Sequence, residues 1–145
     1  MTLQEALDSI IEYAESRGIA VNRNSNSFAH VRSDSTITCP KNSKLNLSYL
    51  VSLLHEVGHA IQPDSHFQSL RKSKTTTLAL ILEQEYQAWY IGLEVAKELH
   101  LPEALREEFI TEYISQWSRY WVRYIRELNK YTANELNHQR SAYID

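Results

Sequence analysis

The stretch Asn46-Leu-Ser-Tyr-Leu-Val-Ser-Leu-Leu-His55-Glu56-Val57-Gly58-His59-Ala-Ile-Gln62 decides how this chain is read. Leu47, Leu50, Leu54, Val57 and Ile61 recur at steps of three and four, the spacing of one apolar helix face. Pro63 follows and ends the helix, because proline has no amide proton to donate and its ring crowds the preceding turn. The spacing therefore predicts a helix over 46–62. His55 and His59 lie off the apolar stripe, on a face shared with Ser48, Ser52 and Gln62, so the two imidazoles are expected to look toward a polar cleft. A helical turn takes about 3.6 residues, which leaves positions four apart on one face with Cβ atoms roughly 5–6 Å from each other. Both rings can then reach one metal ion. Glu56 points elsewhere and is expected beside such an ion, where its carboxylate can take a proton from water without entering the coordination shell. The competing reading is an ordinary amphipathic helix with two solvent-facing histidines, and the rest of the chain decides between the two.

Two protein ligands hold zinc poorly; catalytic sites use three and leave a fourth position for water. The next strongly helical stretch, about 76–100 with Pro102 as its expected stop, contains Glu83, Glu85, Glu94 and Glu98. Glu85 shares its face with Ala88, Gly92 and Ala96, small residues that let another helix come close, and Gly58 thins the facing surface of the motif helix. Glu83 shares its face with Gln87, Tyr90, Glu94 and Lys97, which reads as solvated surface. Glu85 is therefore the expected third ligand, with Glu83 in reserve. A metzincin arrangement fits less well, since Gln62 and Ser65 stand where it needs glycine and histidine and His66 comes one residue late, although Asp64 could imitate an aspartate-ligand variant. His30, His66, His100 and His138 read as surface or loop residues; His66 is the one whose loop should pass the metal. It joins Tyr86 and Tyr90 as a candidate for steadying an oxyanion.

The pair of motifs, His55-Glu56-Val57-Gly58-His59 and then, some 26 residues on, Glu85-Tyr86-Gln87-Ala88, resembles the gluzincin metallopeptidases. Within that clan it is most similar to the small ImmA/IrrE-type peptidases of bacteria and mobile elements, which carry H-E-x-G-H and a later glutamate next to alanine. A second group, whose second helix reads E-x-x-A-D, is also similar. The likeness covers about residues 28–100, and this chain departs from it at Trp89, where those families place Asp or Asn near a ligand histidine. The resemblance implies a minimal zincin-like domain with Zn2+ as cofactor, and peptide-bond hydrolysis with Glu56 as general base. It also implies a small sheet over the motif helix whose edge strand holds an extended peptide. The substrate it suggests is a regulatory protein, such as a repressor encoded nearby in a phage or mobile element.

The remaining sequence fits around this centre. At 145 residues the chain reads as one domain, 1–145, with a core over about 19–100 and a C-terminal helix over about 102–134. A net charge of −3 argues against a dedicated nucleic-acid binder. Cys39 is alone, which points to a reducing cytoplasm and a small buried strand residue. Met1 to Arg17 interleaves Glu5, Asp8, Glu12 and Glu15 with its apolar residues, unlike a secretion signal, and no run approaches the roughly 20 apolar residues of a membrane span. A first helix is expected over about 3–16, with Gly18 capping it, and residues 19–39 read as a small antiparallel β-meander. After Pro102, Leu105, Phe109, Tyr113, Trp117, Trp121, Tyr124, Leu128 and Tyr131 predict a long helix seam, opposite Arg119, Arg123, Arg126 and Lys130, with a frayed polar tail from Glu135. A seam this regular points to core packing or self-association rather than to base stacking. The expected fold class is α+β, mostly helical. The expected partner is a peptide or protein substrate, without nucleic acid or membrane. The alternative is a zinc-holding interaction or regulatory module without turnover, docking a partner through the aromatic helix.

Overall fold

The computed structural model describes residues 1–41, 44–63 and 74–144. They form a mostly helical α+β fold of helices α1 (Leu3–Ser16), α2 (Leu47–Ile61), α3 (Lys74–Glu98) and α4 (Leu101–Ile144) and strands β1 (Ala20–Ser25), β2 (Ala29–Val31) and β3 (Thr36–Pro40). The motif helix α2 lies at the centre, in contact with α1, β2, β3, α3 and α4. Its start is fixed by Asn46, whose side chain accepts from the Tyr49 amide at 2.8 Å, an N-cap worth about 1 kcal/mol. Its end follows from Pro63, which holds Gln62 in extended backbone at ψ 149°. Burial reaches beyond the expected stripe: Tyr49, Val51 and Leu53 are buried along with Leu50, Leu54 and Val57, because neighbours cover the helix on several sides.

Helix α1 has the expected bounds, with a capping box between Thr2 and Glu5 and Gly18 in the left-handed region at φ 76° just past its end. The sheet differs from the expected meander. Its order is β1-β3-β2, with β1 parallel to β3 and β2 antiparallel to β3. The reason lies in composition. β3 carries Ile37 and Cys39, both fully buried, and takes the centre, while β1 carries the polar run Asn22-Arg23-Asn24 and stays at an edge. A 3₁₀ turn over Arg32–Asp34, with Ser35 left-handed at φ 48°, leads β2 into β3.

The second long helix ends earlier than Pro102 implies. The chain breaks after Glu98, with His100 at φ 59°, and Pro102 lies in the first turn of α4, where a missing amide proton is no loss. α4 is also not the single unbroken helix expected: Arg106, at φ 67° and ψ −160°, interrupts it. Past the expected end near Asn134 it continues to Ile144, since the polar tail contains neither glycine nor proline to stop it. The seam of α4 departs from the four-residue steps as well. Steps of four overshoot a turn of about 3.6 residues, so the face rotates away. Phe109, Tyr113 and Gln116 are buried while Trp121 is 45% exposed, and Tyr120 takes the inward place. Among the described residues no helix is long and apolar enough to cross a membrane.

Candidate metal centre

The site exists because α2 and α3 cross very closely in antiparallel sense, with Gly58 against Ala88 and Leu54 against Gly92. A Cβ at Gly58 would lie 1.9 Å from the Ala88 carbonyl oxygen, and one at Gly92 would lie 2.6 Å from that of Leu54. Both glycines are required for this approach. It brings Glu85, one turn before Ala88, onto the last turns of α2. His55 Nε2 stands 2.7 Å from Glu85 Oε2 and His59 Nε2 stands 3.2 Å from Glu85 Oε1. One donor atom from each of His55, His59 and Glu85 lies within 4.8 Å of the others, so the three expected ligands are brought together. Glu83, the reserve, is exposed and takes no part in the cluster.

Burial raises the Glu85 pKa, but the hydrogen bonds and charge of His55 and His59 outweigh it and hold the carboxyl at about 2. Glu56 lies beside the cluster and outside it, its Oε1 3.9 Å from His55 Nδ1. Its side chain is 12% exposed, and burial, reinforced by the Glu85 charge against the opposing pull of the two histidines, raises its pKa above the usual carboxylate range. At 3.9 Å the Glu56 carboxylate is beyond hydrogen-bond reach of Nδ1, while Nε2 faces Glu85 Oε2 at 2.7 Å.

The polar face of α2 does not open to a cleft as expected; α3 and α4 cover most of it. Ser48 and Ser52 are tied to Gln116, which donates to Ser48 Oγ at 2.9 Å and accepts from Ser52 Oγ at 3.2 Å. His55 is only 4% exposed. Its ring stacks on Trp89 at 4.0 Å between centroids and 9° between planes, and Tyr120 meets it edge-on at 5.1 Å. Trp89 therefore fixes the ring by stacking, where an acid in its place would fix it by hydrogen bonding. Trp89 is in turn held by Tyr113, whose hydroxyl donates to the Trp89 carbonyl.

Three residues at the site escaped the sequence reading. Gln62 is buried with its Nε2 2.8 Å from His59 Nδ1; its place on the histidine face was a readable sign. Tyr120 stands next to His55, and its pKa is raised by burial and by the charges of Glu85 and Glu56. Its signal was the three-residue step from Trp117, hidden by the four-residue seam. His30, on edge strand β2, has its ring parallel to that of His59 with centroids 6.5 Å apart. Burial and then the His59 charge lower its pKa. Nothing in its local sequence foretold that. Tyr86 and Tyr90 are 48% and 52% exposed, and Tyr86 faces Trp117 and Trp121 rather than the cluster. Asp64, Ser65 and His66 lie outside the described residues.

Two imidazole nitrogens and one carboxylate form a donor set suited to a transition metal; calcium and magnesium prefer oxygen alone. Comparisons with protein-family models, curated proteins and solved structures return no match. What the site can do is therefore argued from its own geometry.

Proposed function

We propose that this chain is a zinc metallopeptidase in which His55, His59 and Glu85 hold the metal and Glu56 is the general base. The observation carrying the reading is the convergence of two Nε2 atoms on the two oxygens of one carboxylate, at 2.7 and 3.2 Å, with a second buried acid beside them. When bound there, zinc supplies positive charge that acidifies water toward neutral pH and polarises a scissile carbonyl. Glu56 accepts the water proton at a carboxylate oxygen and later returns it to the leaving amine nitrogen. Its burial keeps that carboxylate more basic than one in water, which matches a proton acceptor working near neutral pH. Trp89 and Tyr120 hold the His55 ring in place. The substrate is a peptide or protein, and the resemblance to ImmA/IrrE-type peptidases makes a regulatory protein in a reducing, cytoplasmic setting the first to try.

The test is Glu56→Gln, assayed for peptide cleavage and for bound zinc by elemental analysis. Cleavage should fall by at least about 100-fold, the scale of one general base, with zinc retained. A variant that cleaves like the parent refutes the assigned base, and a parent that holds no zinc refutes the centre.

A second reading is a metal-holding module that docks a partner without turnover. It is favoured by exposed apolar side chains on neighbouring faces of α3 and α4: Tyr86, Ile114, Trp121 and Val122, each 44–48% exposed. A proteomic search for new protein termini, parent against Glu56→Gln, separates the two. New termini made only by the parent support the peptidase, and identical sets support the module.

A further inference from the structure

Helix α4 is 44 residues long, about 66 Å, and the rest of the protein covers only its first part. Phe109, Tyr113 and Gln116 are buried, whereas from Trp121 to Asn134 no residue is. Round the helix from the buried side runs an apolar seam of Ile110, Ile114, Trp117, Trp121 and Ile125, at steps of three and four. Ile114, Trp121 and Val122 are 44–45% exposed, and Tyr86 of α3 extends the patch, its ring 6.3 Å from that of Trp121. Between these side chains and Ser118 lies an open groove of about 360 Å³. An apolar patch of this kind marks a contact surface. The charges beside it are sorted. Glu108, Glu112, Arg119, Arg123, Arg126 and Lys130 follow one another at steps of four, seven, four, three and four, so they form one stripe, acidic at its start and basic at its end. Glu112 and Arg119 lie 3.8 Å apart on the helix itself. Glu108, Arg123 and Arg126 are exposed and make no ion pair among the described residues.

We infer that this face of α4 binds a second copy of the chain, the two helices lying antiparallel about a two-fold axis between Trp117 and Ser118. In a two-fold pair each flank of one helix meets the same flank of the other, run in reverse. Ile114 then faces Trp121 of the second copy, Ile110 faces Ile125, and the small Ser118 sits opposite Trp117. On the charged flank Glu112 comes level with Arg123 of the second copy, and Glu108 comes within one residue of Arg126. Every such contact occurs twice. A parallel pair would set acids level with acids and bases with bases, at a cost in affinity. The sorting of charge is thus self-complementary in one orientation only, which singles out a second copy over an unrelated partner. The dimer stands apart from the proposed metal centre, because Tyr120, which meets His55, lies on the side of α4 that faces its own chain.

The experiment is sedimentation velocity of the full chain over a concentration series reaching about 100 μM, with circular dichroism to check folding. The parent should sediment as a dimer. Trp121→Ser removes the central aromatic from both copies and should raise the dissociation constant at least about 100-fold. Glu108→Arg and Arg126→Glu should each raise it about 10-fold, and the two combined in one chain should bring it back to within about threefold of the parent. Positions 108 and 126 are about 27 Å apart along the helix, so such a rescue can arise only between copies. A parent that stays monomeric through the series overturns the inference, as does a Trp121→Ser protein that dimerises like the parent. Single charge reversals without effect, or a double reversal no better than the singles, overturn the antiparallel pairing and the inference with it. If Trp121→Ser fails to fold, the three charge variants decide. Zinc binding and cleavage are measured separately, so failure of the dimer and failure of the metal centre are distinguishable.

Discussion

Gly58→Ala should damage the fold and the proposed metal centre through one displacement. The new Cβ would lie 1.9 Å from the Ala88 carbonyl oxygen, 2.8 Å from its carbon and 3.1 Å from its Cα, all backbone atoms of a helix that cannot turn aside. Ordinary contact begins at 3.4 Å, so α2 and α3 must part by about 1.5 Å at this crossing. Overpacking of this sort destabilises by about 1–3 kcal/mol, and a clash with backbone belongs at the upper end. The same displacement acts on the ligands, since His55 and His59 ride on α2 and Glu85 on α3. Carried through in full, it widens the 2.7 Å approach of His55 Nε2 to Glu85 Oε2 to about 4.2 Å. Zinc affinity should fall by at least about 100-fold, the upper end of what disturbing a ligand's partner alone does. Urea denaturation followed by circular dichroism gives the first quantity and competition with a chromophoric chelator the second. Gly92→Ala, with its nearest contacts at 2.6 Å, should show both effects more weakly. Gly18→Ala, in open space at φ 76°, should lose about 1 kcal/mol from backbone strain and nothing in zinc affinity. A Gly58→Ala protein within about 0.5 kcal/mol of the parent, with unchanged zinc affinity, would refute the idea that this crossing assembles the site.

Three further outcomes are expected. Glu85→Gln should abolish tight zinc binding while Glu83→Gln leaves it unchanged, because only Glu85 joins the cluster; the reverse result in a chelator titration would move the third ligand to the reserve position. In the metal-free protein, Glu85 is held at about 2 against an ordinary 4.5, so its contribution is present above pH 4.5 and is lost as pH falls through 2. That contribution is on the order of 3 kcal/mol, and metal-free Glu85→Gln should show a correspondingly flatter loss of denaturation midpoint between pH 5 and 2.5. Trp89→Ala removes the fully packed plane beneath His55 and should destabilise by about 3–5 kcal/mol, with weakened zinc binding in whatever fraction stays folded; an unaltered unfolding midpoint would contradict its place in the core.

How much of this was legible in sequence depends on how local each cause is. Helix α2 could be read to within one residue at each end because its signals are local: Asn46 caps it, Pro63 ends it, and the apolar steps between them carry one period. That Glu85 rather than Glu83 would lie beside the two histidines was legible for a subtler reason. Small residues declare a close helix crossing, and Ala88 and Gly92 share the Glu85 side, so the crossing that needed them had to deliver that carboxylate. Strand order was not legible, because what sends β3 between β1 and β2 is competition among three short segments for one buried position, settled by Ile37 and Cys39 after collapse. The direction of the histidine face failed for the same kind of reason. Ser48, Ser52 and His55 look like a solvated stripe, but Gln116, Trp89 and Tyr120 arrive from distant sequence to meet them by hydrogen bonding and stacking. Polar spacing on a helix thus shows that a face needs polar or aromatic partners, and leaves open whether water or protein supplies them. At the proposed metal centre that difference has chemical weight, since a ring held between Trp89 and Tyr120 cannot swing away from Glu85 without disrupting the core around it.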